Sequence, residues 1–131
     1  MANIFALAAS AENWFKMNLK ENGYECKTTF YSDLTIAELM SGKKGIKDTI
    51  KNVMENWINN IEYITEFCMA VNWKSWEMYD RLEQTQDEAK KKYFTDLGKF
   101  YSDQYYKVYD KIYSHYKSDE KALNYFYRTT D

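Results

Sequence analysis

The chain reads as an all-α protein: a long antiparallel helical hairpin, about 46–83 and 86–117, packed with shorter N- and C-terminal helices. Three observations predict this. There is no proline and there are only 4 glycines in 131 residues, so the strongest helix breaker is missing and tight hairpin turns are scarce. A many-stranded sandwich or barrel is disfavoured on that ground. Apolar residues recur at three- and four-residue steps along most of the chain, and helix start and stop signals fall between those stretches. The length suits a single domain, 1–131, with one sizeable core.

The first helix is expected over 2–22, where Ile4, Leu7, Ala8, Ala11, Trp14, Phe15 and Leu19 share a face and Gly23 supplies the closing residue. Its apolar run 4–9 has no positive flank and is shorter than the roughly 20 residues of a membrane span, so it reads as helix core. Residues 24–31 are rich in β-branched and aromatic side chains, an extended connector with the composition of one short strand near 26–31. Thr35 and Glu38 have capping-box spacing, which predicts a short helix from Ile36 to about Met40, and 41–45 reads as a turn.

Beyond that turn, Ile46, Ile50, Val53, Trp57, Ile61, Ile64, Cys68, Val71, Ser75, Met78 and Leu82 step by about 3.6 residues, the period of a straight α-helix rather than a coiled coil. A helix over 46–83 would span about 57 Å, against a diameter of roughly 36 Å for a compact chain of this length. Either it breaks, with Asn59–Asn60 or Asn72 the poorest helix formers, or the molecule is elongated and covers its stripe as a homodimer. Thr85 and Glu88 form a second capping box opening a helix to about Lys117, and 118–120 starts a last helix ending near Arg128.

Charge and chemistry narrow the function by exclusion. A net charge of −2 with 29% charged residues provides neither a basic footprint for nucleic acid nor the acidity of a DNA mimic. Cys26 and Cys68 lack CxxC spacing and read as reduced thiols of a cytoplasmic protein, Cys26 semi-buried and Cys68 in the core. The single histidine, His115, has no partner at metal-ligand spacing, so no metal or cofactor is expected. Residues 42–45 lack the spacing of a phosphate loop. Glu55, Glu62, Glu66 and Glu77 read as a solvated helix face, and no catalytic residue is assigned.

Two recognition surfaces suggest themselves. Residues 35–54 have the order of a helix-turn-helix, with Lys43, Lys44, Lys47 and Lys51 for phosphates and Asp48, Thr49 and Asn52 near the groove. This DNA-binding reading is the alternative, weakened by its long turn and short first helix. The leading signal is aromatic: twelve of the 24 aromatic side chains (13 Tyr, 7 Phe, 4 Trp) fall between Tyr93 and Tyr127. On a helical wheel the first nine cover roughly 240°, far more than one core face of about 100°. Packing between two neighbours accommodates most of them. The edge of the arc, Tyr106, Tyr109, Tyr113 and Tyr116, then forms a partner-binding surface that Trp73 and Trp76 extend. A tyrosine-lined cavity for a small ligand is a third option.

The stretches 28–38 (TTFYSDLTIAE), 46–49 (IKDT), 55–57 (ENW), 71–76 (VNWKSW) and 125–131 (YFYRTTD) resemble small helical proteins carried by phages and conjugative elements of gut bacteria. The resemblance covers about 28–131, and the N-terminal helix departs from it. Its motifs are structural phrases, so it implies no site residue. It does imply an accessory factor that binds and blocks a host or defence-system protein, without an enzymatic activity of its own.

Overall fold

The computed structural model describes residues 3–130, and 86% of them lie in five α-helices with no strand among the described residues. Ala2, the expected first residue of the first helix, and Asp131 lie outside the described residues. Helix α1 (Ile4–Glu21) starts where the Asn3 side chain accepts the Phe5 N–H at 2.9 Å. It ends at Gly23, φ 85°, where Gly23 N–H donates to Lys20 O (3.0 Å) and Tyr24 N–H to Leu19 O (2.8 Å). That pair of bonds is a Schellman ending, which requires the left-handed conformation glycine allows.

Residues 24–29 form an irregular connector that pairs with no strand. The Lys27 N–H, which a ladder would have used, donates to the two oxygens of Glu66 at 3.0 and 3.2 Å. The strand expected near 26–31 is therefore absent, and helix α2 (Phe30–Trp57) begins inside it. A straight helix of 28 residues would be about 42 Å long. Yet the rings of Phe30 and Trp57, at opposite ends of α2, have centroids 5.8 Å apart.

The reason is Gly42, whose φ of 58° and ψ of −143° are the only non-helical angles in α2. The chain folds back there into two arms, 30–41 and 43–57, which run side by side. Close approach of the arms explains the second glycine: a Cβ on Gly45 would stand 2.6 Å from the Ala37 carbonyl oxygen and 2.7 Å from Ser41 Cβ. So the short helix expected over 36–40 is a full arm, and the expected turn 41–45 is a hinge at one residue. Thr35 caps nothing, because the helix is already running; its hydroxyl donates to Tyr31 O one turn back at 3.0 Å.

The helix expected over 46–83 is divided at Asn59–Asn60. Asn60 is extended and its side chain accepts the Tyr63 N–H at 3.2 Å, capping α3 (Ile61–Gln84). The break removes the conflict between helix length and molecular diameter, while Asn72 stays helical. Helix α4 (Glu88–Tyr116) is capped by Asp87, which accepts from Ala89 N–H (2.9 Å) and Lys90 N–H (3.3 Å), two residues later than the Thr85 cap expected. Asp119 accepts from Ala122 N–H at 3.1 Å and opens α5 (Glu120–Thr130).

Helices α3 and α4 form an antiparallel hairpin, with Ser75 Oγ donating to Gly98 O (3.2 Å) in its middle and the Tyr79 ring lying across Gly98. Helix α5 packs on both, and α1 packs on α2 through Phe15 stacked on Tyr31 at 4.7 Å. A continuous core joins Leu19, Leu34, Ile46, Phe67, Ile112 and Phe126, and Cys68 lies in it as expected. No helix among the described residues is long and apolar enough to cross a membrane.

Candidate functional site

The helix carrying the candidate site is α3, and its most unusual residue is Lys74, only 1% exposed. A buried ammonium is tolerated only when its three donors are satisfied and its charge is matched. Both conditions hold. Nζ donates to Glu77 Oε2 (2.9 Å) one turn along α3 and to Thr35 Oγ1 (3.3 Å) on the first arm of α2, and is ion-paired with Glu38 Oε1 (3.1 Å) on the same arm. The rings of Tyr31 and Tyr101 stand 5.2 and 5.6 Å from it, and their hydroxyls donate to Glu77 (2.6 Å) and Glu38 (2.5 Å).

Arg81 closes the network from the solvent side, donating to Glu77 Oε1 at 2.9 Å. Burial pushes the Glu77 carboxyl up, but Lys74, the Tyr31 hydroxyl and Arg81 together outweigh it and hold it below its ordinary value. Burial, reinforced by the adjacent carboxylates, raises both phenols, so Tyr31 and Tyr101 remain protonated donors. The charged knot thus fastens α2, α3 and α4 together. Sequence reasoning placed Glu77 on a solvated face and gave Lys74 no role. Period 3.6 marks which side a residue faces and carries no information on a partner some 40 positions away.

Glu66 also departs from the solvated face: it is 7% exposed and accepts from Lys27 N–H, with the Cys26 thiol 4.0 Å from Oε2. Burial raises its carboxyl above the ordinary range despite that bond. The Cys26 thiol is itself raised, mainly by burial, which is the opposite of what an activated nucleophile needs. Cys26 is semi-buried as expected.

Above the knot, α1 and the C-terminal half of α3 enclose an open groove of about 520 Å³ walled by Leu7, Ala11 and Trp14 on one side and Asp80, Arg81 and Gln84 on the other. Tyr31 and Glu77 form its floor. Three indoles continue from it along the seam: Trp14 meets Trp73 at 5.6 Å and Trp73 meets Trp76 at 5.3 Å. Trp14 is 44% and Trp76 55% exposed. Trp73 is half-buried between them, its other edge on Phe15.

The tyrosine arc is divided. Tyr106 and Tyr113 are 63% and 45% exposed, seven positions apart on one side of α4. Tyr109 is half-buried with its ring 4.8 Å from Phe126 of α5. Tyr116, expected at the edge of the arc, is instead buried, its hydroxyl donating to Ile58 O across the end of the bundle at 2.5 Å, and presents no partner surface. Trp73 of α3 packs on Trp14 and Phe15 of α1, and Trp76 packs on Trp73, so these two indoles gather toward α1. The helical period of α1 puts Trp14 on the core stripe, but its ring lies on the flank of that stripe and is exposed.

Lys43, Lys44, Lys47 and Lys51 are exposed on the second arm of α2, and Lys43 and Lys47 lean on α4, 5.7 and 5.9 Å from the Phe100 ring. The two arms there are folded side by side, unlike the crossing of about 90–120° in a helix-turn-helix. His115 is exposed and bonds Asn59 Oδ1 at 2.9 Å. Comparison of the chain with protein-family models, curated proteins and solved structures found no match.

Proposed function

We propose that the chain is a non-enzymatic protein-binding factor whose contact surface is the tryptophan seam between α1 and α3. The observation that carries this reading is the row Trp14–Trp73–Trp76, two of whose indoles are about half exposed beside an open groove. Trp is the residue most enriched at interface hot spots, because a large rigid ring buries area at small entropic cost. The knot beneath holds α3 rigid, so the seam meets a partner preformed. The resemblance to phage and conjugative-element proteins supports a host or defence-system protein as that partner, which the seam would block.

The test is a photo-cross-linking amino acid placed at Gln84, on the groove wall, in the source cells. The expected result is one cross-linked protein whose yield collapses on Trp76→Ala, a loss of about 2 kcal/mol or more in binding. Thermal unfolding of Trp76→Ala should stay close to that of the parent, since the half-exposed ring leans on Trp73 alone among the ring contacts described. Absence of a cross-linked protein, or a yield indifferent to Trp76→Ala, overturns the reading.

A further inference from the structure

The exposed side of α3 continues past the indoles with Asp80 and Glu83, so Trp73, Trp76, Asp80 and Glu83 follow one another at three- and four-residue steps along one strip. Asp80 and Glu83 are both exposed. Beneath this end of the seam Glu38 and Glu77 are balanced by Lys74 and Arg81, so the acidity it presents is that of Asp80, whose Oδ2 accepts from Gln84 Nε2 at 3.2 Å, and of Glu83. At the start of α4, Lys91 is ion-paired with Glu88, while Lys90 and Lys92 are exposed. The lysines of the hinge lean instead on Phe100, on the α2–α4 side. A net charge of −2 therefore conceals an acidic, tryptophan-bearing strip.

From this juxtaposition we infer that the seam takes a basic protein segment, with an arginine seated over Trp76 and paired with Asp80. The chemistry selects arginine: its planar guanidinium stacks on an indole and at the same time bonds a carboxylate bidentately, and Trp76 and Asp80 offer both one helical turn apart. The same acidity opposes the other occupants. Nucleic acid and anionic lipid would be repelled, and a second copy meeting this face would bring a second set of carboxylates to it. The inference rests on the proposed protein-binding role of the seam and adds the chemistry of the partner.

Two tryptophan-free helical peptides test it, each with leucines on one face and flanked by arginines in one case and glutamates in the other. They are titrated into the full chain with tryptophan fluorescence as the signal. The arginine peptide should bind about ten-fold or more tightly, and Asp80→Lys with Glu83→Lys should reverse the order. The pair Asp48→Lys with Glu55→Lys makes the same change in net charge on the second arm of α2 and should leave the preference intact. Equal binding of the peptides, binding of neither, or an arginine preference that survives the Asp80/Glu83 reversal overturns the inference. A cross-link from position 84 obtained alongside such a result would sink the arginine assignment alone, whereas absence of that cross-link sinks the protein-binding role itself.

Discussion

Glu66 and Glu77 sit on the same helix, both largely withdrawn from water, yet their carboxyls are shifted in opposite directions. At Glu66 the main compensation is one backbone N–H, from Lys27, and burial wins. At Glu77 a buried ammonium, a guanidinium and a phenol converge, and burial loses. The difference teaches that a neutral donor satisfies a carboxylate's lone pairs without matching its charge, whereas an ion pair does both. Along α3, burial thus opposes ionisation at Glu66, while the surrounding cations and phenol favour it at Glu77.

Removing the cation breaks the contrast most severely. Lys74→Met leaves Glu38 and Glu77 buried against a thioether and should cost about 3–5 kcal/mol in urea unfolding at pH 7. Replacing Glu38 and Glu77 by Gln in the same variant should restore a large part of that loss, because no uncompensated charge then remains. Glu77→Gln alone leaves Lys74 with one carboxylate and should cost about 1–3 kcal/mol.

Acid sharpens the comparison without mutation. A lowered carboxyl contributes stability that is complete above its unfolded value and is lost as pH falls through its folded value, so Glu77 loses its contribution below the ordinary carboxylate range. A raised carboxyl behaves conversely: native Glu66 takes up its proton before the unfolded chain does, and stability rises as pH falls through its folded value. Unfolding free energy measured from pH 7 to pH 3 should therefore decline less steeply in Glu77→Gln than in the parent, and more steeply in Glu66→Gln. At pH 7 the Glu66→Gln change should be the smallest, a gain within about 1 kcal/mol, since the amide oxygen still accepts from Lys27.

Much of this architecture was legible in the sequence. The antiparallel pairing of α3 with α4, the Gly23 ending of α1 and the start of α5 at 118–120 follow from periodicity and capping residues, whereas the apolar period runs unbroken through Asn59–Asn60 and left that break as one option beside Asn72 or an unbroken helix. What was not legible came from contacts distant along the chain. The turn at 41–45 was visible from its glycines, but not that the chain doubles back at Gly42 alone and brings Phe30 onto Trp57, 27 positions on. Thr35 carries a capping signature but serves as a partner for Lys74, 39 positions on. Of the candidate surface, Trp73 and Trp76 were visible as lying off the main stripe, while Tyr116 was misplaced because a helical wheel cannot tell which neighbour covers a wide aromatic arc.

The hinge at Gly42 has a consequence for how the molecule tolerates being cut. Each arm of α2 is fastened to the rest of the bundle independently: the first by Phe30 on Phe67, Tyr31 on Glu77 and Glu38 on Lys74, the second by its own buried Ile46, Ile50 and Val53. Covalent continuity at the hinge adds little to that fastening. Scission by trypsin beside the exposed Lys43 and Lys44 should leave two fragments that travel as one particle in gel filtration, with the ends opened there standing as natural new termini for a split or circularly permuted form of the chain.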